Sequence, residues 1–240
     1  MEGGRLVINL SFNRERKPIF LVKGRRKAPF SPISRNIRKY KKGHRLVSTE
    51  TELLEILQPF AFEASNDDDE LAFMDELSEW LVTEEICPLQ FDDEPGRTYH
   101  AVVQNTIDDF EKIGSYRVGT IQFLSFYSTG ESHSLALGTS FNPFTIKGKK
   151  KTPWTSRTTF TVPQSSFTLE NNLGGKVVLK YNFVGGDVLE IDYDKRKVML
   201  NGNALQVALQ IQSVWFDLKP GQLQLKASHA TTLSYMERFY

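Results

Sequence analysis

Short runs of alternating apolar and polar residues, each cut off by a turn signal, recur along most of the chain. Period 2 is what a strand with one buried and one solvated face requires, so the pattern predicts a mainly β protein. The clearest case lies near the C-terminal end, where Val188, Glu190, Asp192 and Asp194 alternate with Leu189, Ile191 and Tyr193. Asp194-Lys195-Arg196 is a polar turn, and Lys197-Val198-Met199-Leu200 runs back out of it. Asn201-Gly202 follows, a dipeptide that accepts positive φ at low cost and closes tight hairpins. Lys219-Pro220-Gly221 sets another turn between Val214-Trp215-Phe216 and Leu223-Gln224-Leu225, with proline fixing φ and glycine taking the position that needs φ > 0. Further strands are expected at residues 6–12, 18–22, one or two within 51–62, two within 89–103 on either side of an acidic turn, then 119–126, 157–162, 166–169 and 176–183, with a strand or an extended connection at 141–146.

One segment breaks period 2. From Asn66 to Glu85 the apolar residues Leu71, Met74, Leu77 and Leu81, with Trp80, recur at three- and four-residue intervals, which predicts an amphipathic helix packed on a sheet. Asn66 or Asp67 can cap it, and Asp68, Asp69 and Glu70 suit the positive end of its dipole. Pro88 forbids continuation. Gly24 to Arg45 has little periodicity and is read as a long basic loop or arm, with a short strand near Ile33–Ile37. Composition shifts to Ser, Thr, Gly and His over Ser128–Thr139, which marks the expected domain boundary. The short strands beyond it point to a β-sandwich.

Charge changes this picture more than composition does. The 240 residues sum to +1, yet residues 1–50 hold 14 Lys and Arg against 3 acids, residues 51–116 hold 2 against 18, and the remainder 14 against 8. Three readings of that segregation stay open: a phosphate-facing basic patch, opposite charges on neighbouring copies of the chain, or blocks that meet within one subunit or face solvent. With 40% hydrophobic residues the chain can bury a sizeable core. No apolar run approaches the ~18 residues of a membrane span, so no membrane insertion is expected. The N-terminal stretch lacks the plan of a secretory signal. Cys87, the single cysteine, is expected as a buried thiol.

Candidate chemistry is thin. His44, His100, His133 and His229 form no HxxxH or HExxH pair, so no metal site is expected, and no cofactor motif is present. Asp192 and Asp194 share a strand face but read as solvated positions beside a turn, and Asp92-Asp93-Glu94 reads as an acidic turn and not a calcium loop. No nucleophile elbow, phosphate loop or dinucleotide fingerprint occurs, so the chain is not expected to be an enzyme. Trp154, Tyr181, Tyr193 and Trp215 could stack against sugars, although aromatics in a sandwich more often fill its core.

Order and spacing of motifs carry a resemblance that covers most of the chain. Trp80-Leu81, the run Leu89-Gln90-Phe91-Asp92-Asp93-Glu94-Pro95-Gly96-Arg97-Thr98-Tyr99-His100-Ala101, and the strand Gly119–Phe126 resemble the N-terminal domain of the distal tail protein (Dit) family of long-tailed phages infecting Gram-positive bacteria. The hairpin Asp192–Gly202, the turn Trp215–Gly221 and the ending Tyr235-Met236-Glu237-Arg238-Phe239-Tyr240 resemble that family's C-terminal half. A Gly-Arg-x-Gly stretch frequent in the family is incomplete here, since Gly43-His44-Arg45 lacks the second glycine.

The resemblance implies an N-terminal β-sandwich-like domain with one helix (residues 1–130, helix 66–85) and a C-terminal galectin-like β-sandwich (131–240) whose final strand, 231–240, returns to the first domain. It implies a structural virion protein at the tail tip, synthesised and assembled in the host cytoplasm. Six copies would close into a ring that joins the tail tube protein to the tail-associated tip protein and carries receptor-binding proteins. N-terminal domains would line a channel through which DNA passes without specific contact. On this reading Arg35, Arg38 and Lys39 meet Asp92, Asp93 and Glu94 of a neighbouring copy. The competing reading is a carbohydrate-binding module of a virion or cell-wall-associated protein, with Trp154 and Trp215 as stacking residues. Nucleic-acid binding through the basic arm is the third.

Overall fold

The computed structural model describes residues 9–104 and 110–239. Leu6–Ile8 of the first expected strand and the terminal Tyr240 lie outside them. The chain divides between Thr129 and Gly130 into two units with separate apolar cores.

The first unit contains β1 (Leu10–Phe12), β2 (Phe20–Leu21), β3 (Arg26–Lys27), β4 (Ile33–Tyr40), β5 (Gly43–Thr51), β6 (Leu54–Glu63), α1 (Asp67–Leu81), β7 (Cys87–Phe91), β8 (Thr98–Val103) and β9 (Glu111–Ile113). It also contains the start of β10 (Tyr116–Leu137). Antiparallel pairing runs β1-β7-β8-β10-β6, with β2 and β3 on the far side of β6 and β9 beside β10. Alternate residues of β6 and β10, among them Ile56, Phe62, Ile121 and Phe123, face the core with Leu10, Phe12, Leu89 and Phe91.

Helix α1 starts where its chemistry says it should. Asn66 is extended at φ −153°, and its side-chain oxygen accepts from Asp69 N at 2.8 Å. The helix ends at Leu81, four residues before the expected Glu85, because Val82 turns extended. Its buried stripe also differs from expectation. Leu77 and Trp80 are buried and Phe73 and Leu81 pack partly against the core, whereas Leu71 is 62% exposed and Met74 39%. Trp80 fixes the docking by donating its indole N–H to Phe12 O at 2.9 Å. Arg117 does the same from β10: it is 2% exposed, and its Nε donates to Glu70 Oε2 at 2.6 Å.

The second unit continues β10 and adds β11 (Asn142–Ile146), β12 (Trp154–Thr159), β13 (Gln164–Asn171), β14 (Lys176–Phe183), β15 (Val188–Asp192), β16 (Lys197–Leu200), β17 (Asn203–Ala204), β18 (Gly221–Ala227) and β19 (Thr231–Phe239). One sheet pairs β19-β12-β15-β16-β17, the other β11-β18-β13-β14. Phe160, Phe167, Leu179, Phe183, Leu189, Leu225 and Leu233 fill the space between them, so this unit is a β-sandwich. Asn201 and Gly202 both take positive φ, 51° and 81°, as a tight hairpin of this kind requires.

One expectation changes here: Val214-Trp215-Phe216 is not a strand, since Val214 makes only an isolated bridge to Lys176. Through the Ser128–Thr139 stretch β10 continues as far as Leu137.

Candidate assembly interface

The segment read as a basic loop is a long β-hairpin. β4 pairs only with β5, from Ile33↔Thr51 to Tyr40↔Gly43, with Lys41 and Lys42 at the tip and Gly43 at φ 134°. Strands of eight and nine residues reach roughly 27–30 Å. None of their residues is buried. A hydrogen bond from Glu52 N to Pro32 O, 2.8 Å, closes the base.

Pairing sorts the side chains into two faces. Ile33, Arg35, Ile37 and Lys39 share one face with their partners Thr51, Thr49, Leu46 and His44. Ile37 is 57% exposed and Leu46 52%, so apolar surface sits in water between positive charges. Arg38 lies directly opposite Arg45 on the other face, a like-charge pair that opposes the hairpin's own pairing. Among the described residues no ion pair involves Arg35, Arg38, Lys39, Lys41, Lys42 or Arg45.

The acidic turn after β7 is arranged differently. Asp92 takes a two-pronged contact from Arg16, at 2.6 and 3.0 Å, and accepts from Asn9 N at 3.1 Å. Arg25 donates to Asp93 Oδ1 at 2.9 Å and to Glu94 Oε1 at 3.1 Å, with its guanidinium over the Phe91 ring. Lys27 reaches Glu94 at 2.6 Å, and the Tyr99 hydroxyl donates to the same carboxylate. The Arg16 hydrogen bond holds the Asp92 carboxyl below its usual range. Burial works the other way on Glu94, but the bonds from Lys27 and Tyr99 outweigh it and its pKa is lowered. Burial first, and then the Glu94 carboxylate, push the Tyr99 hydroxyl upward. Asp92, Asp93 and Glu94 are therefore engaged by basic residues of their own chain, while Arg35, Arg38 and Lys39 are not brought to them.

Acidic surface open to a partner lies on α1. Asp68, Asp75 and Glu79 are exposed, as are Leu71 and Met74. This outer face offers the complement of the hairpin: carboxylates interleaved with apolar side chains. Sequence reading missed Ile33, Ile37 and Leu46 as surface residues because an apolar residue in a strand is ordinarily assigned to a core. The signal was the Ile33-x-Arg35-x-Ile37-x-Lys39 pattern, in which a single strand face carries apolar and basic residues in turn.

Trp154 is corrected from stacking residue to core residue. It is 2% exposed and donates its indole N–H to Phe216 O at 2.7 Å, so neither ring face is open to a sugar. Trp215 is half-buried against Tyr193, ring centroids 5.8 Å apart, on the wall of a shallow cavity of about 270 Å³. Asp192 Oδ1 accepts from Lys195 N at 3.0 Å, which makes it a turn residue. Cys87 is buried and free. No helix among the described residues is long and apolar enough to cross a membrane.

Both units resemble known protein domains. Residues 12–125 match the family described as the phage tail protein RIFT-related domain, and residues 147–239 match the siphovirus-type tail component, C-terminal domain. The chain is 33% identical over 162 residues to the distal tail protein of Bacillus phage SPP1. That match takes in 63% of this chain and 62% of the relative's length. The crystal structure of the SPP1 Dit protein, described as a paradigm of hub adsorption apparatus in phages infecting Gram-positive bacteria, superposes with a TM-score of 0.89 at 21% identity. That superposition covers 98% of this chain and 100% of the other. A chain of the phage P2 baseplate in its activated conformation with Ca gives a TM-score of 0.52 at 9% identity, over 92% of this chain and 91% of that one. Two family domains in the right order, a relative in sequence and a matching fold lead to one conclusion: the chain belongs to the distal tail protein family of siphoviruses.

Proposed function

We propose that this chain is a non-enzymatic structural subunit at the distal end of a phage tail, and that six copies close into a ring. The ring would join the tail tube to the tail tip and carry the host-attachment proteins, with DNA passing through its lumen. Family membership supports the tail location. The observation that carries self-assembly is the hairpin β4–β5, which buries nothing in its own subunit while exposing Ile33, Ile37 and Leu46 among six Lys and Arg side chains.

A closed ring needs a heterologous contact, with one surface of each copy meeting a different surface of the next. The hairpin supplies one surface, basic and apolar. The outer face of α1 supplies a second, acidic and apolar, with Leu71 and Met74 flanked by Asp68, Asp75 and Glu79. Apolar contact provides most of the affinity in such an arrangement, and the charges select partner and register.

Charge reversal tests it. Arg35→Glu, Arg38→Glu and Lys39→Glu together should shift the chain from assembled to single form in light scattering and negative-stain images. Asp68→Lys, Asp75→Lys and Glu79→Lys, mixed with that triple variant, should restore assembly. Normal assembly of the triple variant at low and at raised salt alike would exclude the charge-matched contact.

A further inference from the structure

A second cluster lies in the sandwich unit and does not depend on the ring. Glu131 and His133 are two apart on β10, so their side chains leave the same face. Glu237 lies on β19, with its Oε1 2.8 Å from His133 Nε2. One donor atom from each of the three side chains lies within 4.8 Å of the other two. From these atoms we propose that Glu131, His133 and Glu237 form a binding site for a divalent transition-metal cation of the zinc type.

The surroundings hold two of the three ligands in place. The His133 ring rests against Tyr235, centroids 5.2 Å apart, and the Tyr235 hydroxyl accepts from Lys147 N at 3.0 Å. Glu237 is only 14% exposed at its side chain, and it fits because residue 130 is a glycine. A Cβ at Gly130 would stand 2.7 Å from Glu237 Oε2 and 2.8 Å from the Phe239 ring. Glu131 is exposed, so it can swing the remaining distance without disturbing a core.

Donor type selects the ion. Zinc takes imidazole nitrogen and carboxylate oxygen at about 2.0–2.2 Å in four-coordinate sites, and water can complete the shell. Calcium takes six to eight oxygens, and magnesium keeps its waters around one or two carboxylates, so neither suits a set that includes an imidazole. Two carboxylates this close repel each other, and a cation between them removes that cost. Bound there, it would fasten the first strand of the sandwich unit to its last. Sequence spacing could not show this site, because Glu237 is over a hundred positions from His133 and only the fold brings them together.

The test uses the full chain, stripped with chelator and titrated with zinc, calcium or magnesium by calorimetry and by thermal unfolding. Expected is one zinc site per chain and a rise in Tm of roughly 5–10 °C at zinc about 100-fold above Kd. His133→Ala should abolish both, and Glu131→Gln, an exposed change that leaves the fold intact, should weaken binding. His44→Ala should leave it unchanged, and calcium and magnesium should give no comparable shift. Absence of a zinc site in the wild-type chain, or equal zinc affinity in the wild-type and Glu131→Gln chains, would overturn the proposal.

Discussion

Trp154 illustrates how one side chain decides between a binding surface and a core. Its ring is enclosed by the sandwich and its N–H has a single partner, Phe216 O. Trp154→Phe keeps most of the packing but leaves that buried carbonyl unpaired, so it should lower stability by about 1–3 kcal/mol in urea unfolding. Single residues that act locally were legible from sequence. Asn66 as a cap and Asn201-Gly202 as a turn each depend on neighbours a few positions away. Trp154 was not legible, because which face of β12 meets the opposite sheet is settled by partners tens of residues distant. For the same reason the intrachain partners were not legible for Asp92, Asp93 and Glu94. Their engagement depends on Arg16, Arg25 and Lys27, which the chain returns to them across more than sixty positions.

At the scale of elements, α1 is joined to the first unit by a core stripe and by the Arg117–Glu70 pair. Hydrogen bonding from Arg117, and then from Lys112, lowers the Glu70 pKa from its ordinary 4.5 despite some burial. A carboxylate whose folded pKa is depressed contributes stability that is complete above the unfolded value and drains away as pH falls through the folded one. Stability should therefore decline on acidification below about 4.5, and Glu70→Gln should be less stable at neutral pH with a shallower acid slope. Urea midpoints across that range measure both. A variant as pH-sensitive as the parent would assign the slope to other carboxylates. The helix was readable because period 3.6 and a cap coincide. The hairpin was not, because a strand reading leans on one apolar face, and β4 and β5 carry charge on both.

The whole molecule comprises two sheet-rich units, and its most unusual surface is the hairpin, which packs on nothing among the described residues. Fold class and family were legible because motif order survives over 240 residues where individual motifs are unspecific. Charge segregation left three readings open, and the structure resolves part of it inside the subunit, at Asp92, Asp93 and Glu94, leaving the hairpin charges in no ion pair among the described residues. Because Pro32 O and Glu52 N already meet at the hairpin base, Ile33–Thr51 can be excised and replaced by a two-residue turn without stretching the body. The most direct measurement is native mass spectrometry of concentrated wild-type and excised chains at low salt, with melting curves alongside. The expected result is six-chain particles for the wild type and single chains with an unchanged melt for the excised form. Six-chain particles that persist after excision, or a wild type that stays single at every concentration, would contradict assembly through the hairpin.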